Sequence, residues 1–195
     1  MIVGIRAVAD PEGRALPLSS PAAGKRRYRQ MANEPTHPIR PTDAQARALA
    51  RAIMQGARTA ALAVIDPETG GPHVSRIAFG RAPDGTCLTL VSDIARHARA
   101  LRADQRASLL LGEPGAKGDP LAQPRLTLAV TAGFVAPDDP ERPGLRAAWL
   151  AQHPKARLYA DFADFHFVRL EVSSAFLNGG FGKAYAMKPV DLVPG

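Results

Sequence analysis

Apolar and polar positions change period along this chain, and the changes mark its elements. Between residues 42 and 56, Ala46, Leu49, Ala50, Ile53 and Met54 recur at helical spacing, which predicts one amphipathic helix ending at Gly56. Thr42 with Gln45 three positions later fits a capping box at its start. The period then falls to two. AALAVI (60–65), HVSRIAFG (73–80) and CLTLV (87–91) read as strands joined by DPETGG and RAPDGT, turns rich in Pro, Asp and Gly. Links this short favour antiparallel neighbours.

RASLLLGE (106–113), the alternating run RLTLAVTAGFV (125–135) and FHFVRLEVSSAFL (165–177) add three further strands, the first two separated by the loop PGAKGDPLAQP (114–124). Between the last two, PDDPERPGLRAAWLAQHP (137–154) predicts a helix with acidic residues at its start and Trp149 and Leu150 on its apolar face. KARLYADF adds a shorter helical turn. The expected fold is mainly β with flanking helices: six strands without βαβ units, in a closed or half-closed antiparallel barrel. No GxGxxG fingerprint follows a strand, which argues against a Rossmann-type dinucleotide site.

Composition narrows the class. At 195 residues and 46% hydrophobic residues the chain suits one well-cored domain. A single cysteine, Cys87, leaves no internal disulfide, and no apolar run reaches the length of a membrane span, so a soluble cytoplasmic protein is expected. The net charge of +7 is concentrated at one end: six basic residues against Asp10 and Glu12 put +4 within residues 1–30. With PLSSPAAG and KRRYR in that stretch, we expect residues 1–30 to be a disordered or loosely attached basic extension, from an upstream start or dispensable, and residues 31–195 to be the single domain. Tyr28 is the one aromatic residue among those cations, which disfavours a nucleic-acid-binding arm.

The stretch SDIARHARAL (92–101) places Arg96, His97 and Arg99 directly after a strand. One reading makes them the exposed face of a short helix whose apolar side is Ile94, Ala98 and Leu101. The other makes a phosphate cradle of guanidinium groups and a helix start capped by Ser92 and Asp93. Arg76, inside the apolar strand VSRIAF, favours the second, since an arginine there needs an anion or a carboxylate.

GGPHVSRIAF, a D-G turn, LVSDIARHARAL, PRLTL, HPKARLYADFADF and GGFGKAY, in that order over roughly residues 44 to 187, resemble the pyridoxamine 5'-phosphate oxidase-like, FMN-binding split-barrel proteins, and most closely their heme-utilisation branch. The resemblance implies a six-stranded split barrel working as a homodimer with flavin at the subunit interface. By position, Arg76, Ile77 and Ala78 would line the flavin, Ser92, Arg96 and His97 would hold the FMN phosphate, and Arg125 would reach the flavin across the interface. Lys183 would face the same cleft. Gly179, Gly180 and Gly182 read equally as a turn requiring positive φ.

What the resemblance implies chemically is an FMN-dependent oxidoreductase with a small-molecule substrate, in which the protein binds and orients the flavin. No catalytic side chain is assigned. The chain has no HExxH or CxxC metal spacing and no nucleophile elbow. Two alternatives stand beside this reading: a heme-binding or heme-degrading protein, opposed by the lack of any histidine after His166, and a non-catalytic flavin-binding dimer. His153 and His166 read as structural or surface histidines. MKPVDLVPG offers no match to the Arg/His substrate segment of true pyridoxamine phosphate oxidases.

Overall fold

A computed structural model describes residues 39–180 and 182–193; the expected extension over residues 1–30 lies outside the described residues. Helix α1 (Ala44–Gly56) is followed by strands β1 (Thr59–Ile65), β2 (Pro72–Ala78), β3 (Gly80–Arg81) and β4 (Cys87–Ser92), then helix α2 (Arg96–Ala103). Strands β5 (Arg106–Leu111) and β6 (Arg125–Phe134) precede helix α3 (Arg142–Gln152), strands β7 (Phe165–Asn178) and β8 (Ala184–Met187), and the short helix α4 (Pro189–Leu192). All six expected strands are present. The two additions, β3 and β8, are two and four residues long, too short for alternation to announce them.

Every pairing is antiparallel, in the order β2-β1-β5-β6-β7-β4-β3, with β8 also on β7. Although β2 and β4 are far apart in that order, the Thr89 hydroxyl donates to the Ala78 carbonyl at 2.8 Å. The sheet therefore curls back on itself, a split β-barrel.

Cross-strand register sorts the side chains. Leu62, Leu109, Leu128, Ala175 and Met187 face one another in one row across five strands and are all buried. This row is the barrel interior, closed by Ala46, Ala50 and Met54 of α1 and by Ala98 and Leu101 of α2. A second apolar cluster lies where α3 packs through Leu145 and Trp149 on Leu88, Leu90 and Phe167. Gly80 is needed there, because a Cβ would stand 3.0 Å from the Trp149 ring.

Helix starts differ from expectation. Asp43, not Thr42, caps α1, its carboxylate accepting from the Ala46 N–H at 2.7 Å, while the Thr42 hydroxyl donates to the Ala186 carbonyl at 3.1 Å. The carboxylate is the charge-assisted acceptor, and Thr42 is drawn off to β8. Helix α2 starts two to three residues later than expected, after Ala95, with no capping side chain.

Leu128 is fully buried at the centre of the inward row. Leu128→Ala should cost about 3 kcal/mol, the usual loss for a large-to-small change in a core that cannot collapse. A urea denaturation midpoint unchanged from wild type would contradict this placement of the core.

Candidate functional site

Strand alternation separates the expected site residues before any ligand is considered. On β2, His73, Ser75 and Ile77 share the side that faces the core, whereas Val74, Arg76 and Ala78 face outward. Ile77 is buried at 5% exposure and serves packing. Ala78 is half-buried, its carbonyl engaged by Thr89.

Arg76 stands at the edge of the outward face, on the first strand of the sheet order. Register aligns it with Ala61, Leu110, Thr127, Phe176 and Ala186, one position per strand. Along this face Val74 is 63% exposed, Ile65 42%, Leu110 43% and Phe176 40%. Four large apolar side chains on one sheet face leave a broad hydrophobic surface with a guanidinium at its edge. The Arg76 side chain is 77% exposed and its nearest carboxylate, Glu113, is 3.8 Å away. Glu113 itself accepts from the Thr59 hydroxyl at 2.7 Å.

Arg125 and Lys183 belong to the same end of the sheet as Arg76. Arg125 opens β6 opposite Asn178, and its guanidinium donates to the Leu121 carbonyl at 2.9 Å. Lys183 is exposed in the turn between β7 and β8, where its backbone N–H donates to Gly180 at 3.1 Å and its carbonyl accepts from Gly179 at 2.7 Å. The positive φ expected of this turn occurs at Gly180 (110°) and Gly182 (67°).

Ser92, Arg96 and His97 lie at the other end, where β1 and β4 terminate. The Ser92 hydroxyl donates to Asp164 at 2.7 Å rather than capping α2. Arg96 pairs with the buried Asp66, and Glu68 is 4.0 Å from it. Asp66 organises the β1–β2 turn: its carboxylate accepts from the Glu68 N–H at 2.8 Å. That backbone hydrogen bond and the Arg96 guanidinium hold its carboxyl below the ordinary 3.8. His97 is half-buried, and burial together with the neighbouring His73 pushes its imidazole below the ordinary 6.5. The structure thus gathers the expected residues into two groups: Arg76, Arg125 and Lys183 at one end, and Ser92, Arg96 and His97 at the other. Ile77 and Ala78 continue β2 beyond Arg76, away from the second group.

Sequence reasoning passed over a polar cluster beside the second group. Asp93, expected as a cap, accepts from His166 at 2.8 Å and from Arg102 at 2.8 Å. Those two donors, Arg102 first, lower the Asp93 carboxyl. Arg102 in turn lies 4.1 Å over the Phe134 ring. These residues are far apart in sequence, so no local pattern could have grouped them. His153 is structural: it bonds the Phe79 carbonyl at 2.9 Å and stacks on Trp149 at 4.3 Å. Among the described residues no cluster of three or more His, Cys, Asp or Glu could hold a metal ion, and no helix is long and apolar enough to cross a membrane.

Comparison with known proteins places the fold in a family. Residues 41–192 match the family described as CREG, beta-barrel. The chain is 31% identical over 150 residues to "Heme oxygenase HutZ" of Vibrio cholerae, covering 71% of this chain and 79% of that one. It is 30% identical over 140 residues to "Non-canonical heme oxygenase HOZ, chloroplastic" of Arabidopsis thaliana, covering 67% of this chain but only 42% of that longer protein. The structure of a heme binding protein from Mycobacterium smegmatis is similar at 34% identity, covering 80% of this chain and 61% of that one, with a TM-score of 0.68. A Clostridium acetobutylicum protein of the pyridoxinephosphate oxidase family, 13% identical with 78% and 100% of the two chains covered and a TM-score of 0.59, shares the fold alone.

Asp66 gives a pH test. Its carboxyl is depressed in the folded state, so the stability it contributes is present above the ordinary value of 3.8 and is lost as pH falls toward the lower folded value. Asp66→Asn should flatten the acid limb of the stability profile below about pH 4. Parallel wild-type and variant curves in thermal melts from pH 6 to 3 would contradict it.

Proposed function

The chain belongs to the CREG-type β-barrel family, and from that premise we propose that it binds heme and serves heme breakdown, with the outward face of β2, β1, β5, β6 and β7 as the binding surface. The observation that carries this reading is an exposed apolar sheet face with Arg76 at its edge. Both halves of an amphipathic porphyrin find a counterpart there. Ala61, Leu110 and Phe176 offer a flat apolar floor for the ring, and Arg76 offers a guanidinium for a propionate.

The donor set fits the ring and its carboxylates, while the described imidazoles lie elsewhere: His73 and His97 on the core side of β2, His153 on Trp149, and His166 on Asp93. When bound, heme iron supplies the oxygen chemistry; this chain binds the ring, orients it by its propionates and shields it from water. Heme-named relatives at 30% and 31% identity move the weight of the reading from flavin to heme.

Shielding requires a cover. We assign that cover to a second copy of the chain, which would turn the apolar faces toward each other in a C₂ dimer with ligand between them. We place this work in the cytoplasm. FMN remains the second reading, favoured by one observation: the first turn of α2 has no capping side chain, so its N–H groups beside Ser92 and His97 suit a phosphate.

Titration with hemin should give a saturable Soret band, and Arg76→Ala should weaken binding about tenfold, as expected for loss of a charge-assisted contact. Retention of FMN without any hemin complex would overturn the heme reading in favour of the flavin one. Phe176→Glu should convert the dimer to a monomer in light scattering. A wild-type chain that is already monomeric would remove the proposed cover.

A further inference from the structure

A separate cavity of about 840 Å³ opens between the β3–β4 turn, α3 and α4, and none of the residues assigned above lines it. Its volume falls within the ordinary range of ligand pockets, about 300–1,000 Å³. Met54, Ala151, Leu170, Val172 and Leu192 supply apolar walls. Arg81 supplies a guanidinium.

Arg81 is fixed from several sides. Its backbone N–H donates to the Gln152 side-chain oxygen at 3.0 Å, and its carbonyl accepts from the Gln152 amide at 2.8 Å. Its Nε donates to the Gly85 carbonyl at 3.0 Å. Gly85 makes the space: its φ is 87°, and a Cβ there would stand 2.8 Å from the Arg81 Nη2. The head group is thus held in place by backbone geometry rather than by a carboxylate.

Two carboxylates, Asp84 and Glu171, share the cavity wall, and neither forms an ion pair with Arg81. Asp84, on the cavity wall, accepts from Arg169 at 2.7 Å, and Arg169 also takes Glu141 at 2.5 Å. Glu171 is solvent-exposed, and among the described residues Arg81 has no ion pair. Cys87, also on the wall, is an uncharged thiol at neutral pH, burial pushing it up to about 11. The cavity therefore presents one fixed cation without an ion pair, beside apolar walls and the exposed Glu171 carboxylate. Leaving such a cation half-buried costs free energy that an anion would recover.

We propose that this cavity is a binding site for an amphipathic carboxylate, its head group on Arg81 and its apolar body against Ala151, Val172 and Val193. The site is independent of the heme surface. Gln152 is a positioning residue, since both its polar ends are spent on Arg81 and on the Ala148 carbonyl at 3.0 Å.

Isothermal titration calorimetry of the full chain with sodium decanoate, below its micelle concentration, tests this. Decanoate should bind saturably at one equivalent per chain, and decyltrimethylammonium, with the same alkyl chain and the opposite charge, should not. Arg81→Met should weaken decanoate binding about tenfold or more. Ala151→Trp, which fills the cavity from α3 and leaves Arg81 in place, should abolish it. Absence of saturable decanoate binding, equal binding of the cationic amphiphile, or an unchanged affinity in both variants would overturn the proposal. So would stoichiometric displacement of decanoate by hemin, which would make the cavity part of the heme site. A loss of hemin binding that leaves decanoate binding intact would instead strike only the heme reading.

Discussion

The barrel depends on β7. Its fourteen residues pair with β6 along one edge, while the other edge passes from β4 at its start to β8 at its end. A single strand that serves three partners must bend, and the register shift between Ala129 and Val130 on β6 marks where the ladder takes up that bend. The curl brings the far edge of the sheet back, so that Thr89 of β4 reaches Ala78 of β2. Without that closure, the inward rows of leucines would have no opposite wall.

Curling an alternating sheet has a cost on its other side. Whatever is turned inward by period two leaves its neighbours outside, and here those neighbours include Val74, Leu110 and Phe176. Apolar residues on both faces of β1 and β5 indicate a sheet meant to be covered twice, once by its own interior and once by something else. The proposed ligand and second copy of the chain answer that requirement together. Charge follows the same geometry: Arg96 and Arg102 are tied to Asp66 and Asp93 at one end, whereas Arg76 is solvent-exposed with one loose, exposed partner, Glu113, at 3.8 Å.

Much of this was legible before any coordinates. The strands were visible because alternation over six or more residues is hard to produce by chance, and the α1 helix because Ala46, Ala50 and Met54 repeat at its own period. The caps were misplaced by one to three residues, since Thr42 and Asp43 are both good caps and only the position of β8 decides which is drawn away. The candidate cations stood out in the sequence, but their partners were invisible. Asp66 and Arg96 are thirty positions apart, and Asp93 and His166 more than seventy.

Local order came from the chain's own pattern: helix and strand follow from which faces can be made apolar, and that information is contained in neighbouring residues. Which cations meet which carboxylates, and which stay unpaired, arose only when the sheet closed. Arg76 and His97 appear equivalent in sequence, yet the two-residue period of β2 sends Arg76 outward, while His97 packs beside core-facing His73. The cavity at Arg81 belongs wholly to that second kind of information. Its walls come from segments spanning Met54 to Val193, and its charge is left free because Arg169, from another strand, has already taken Asp84.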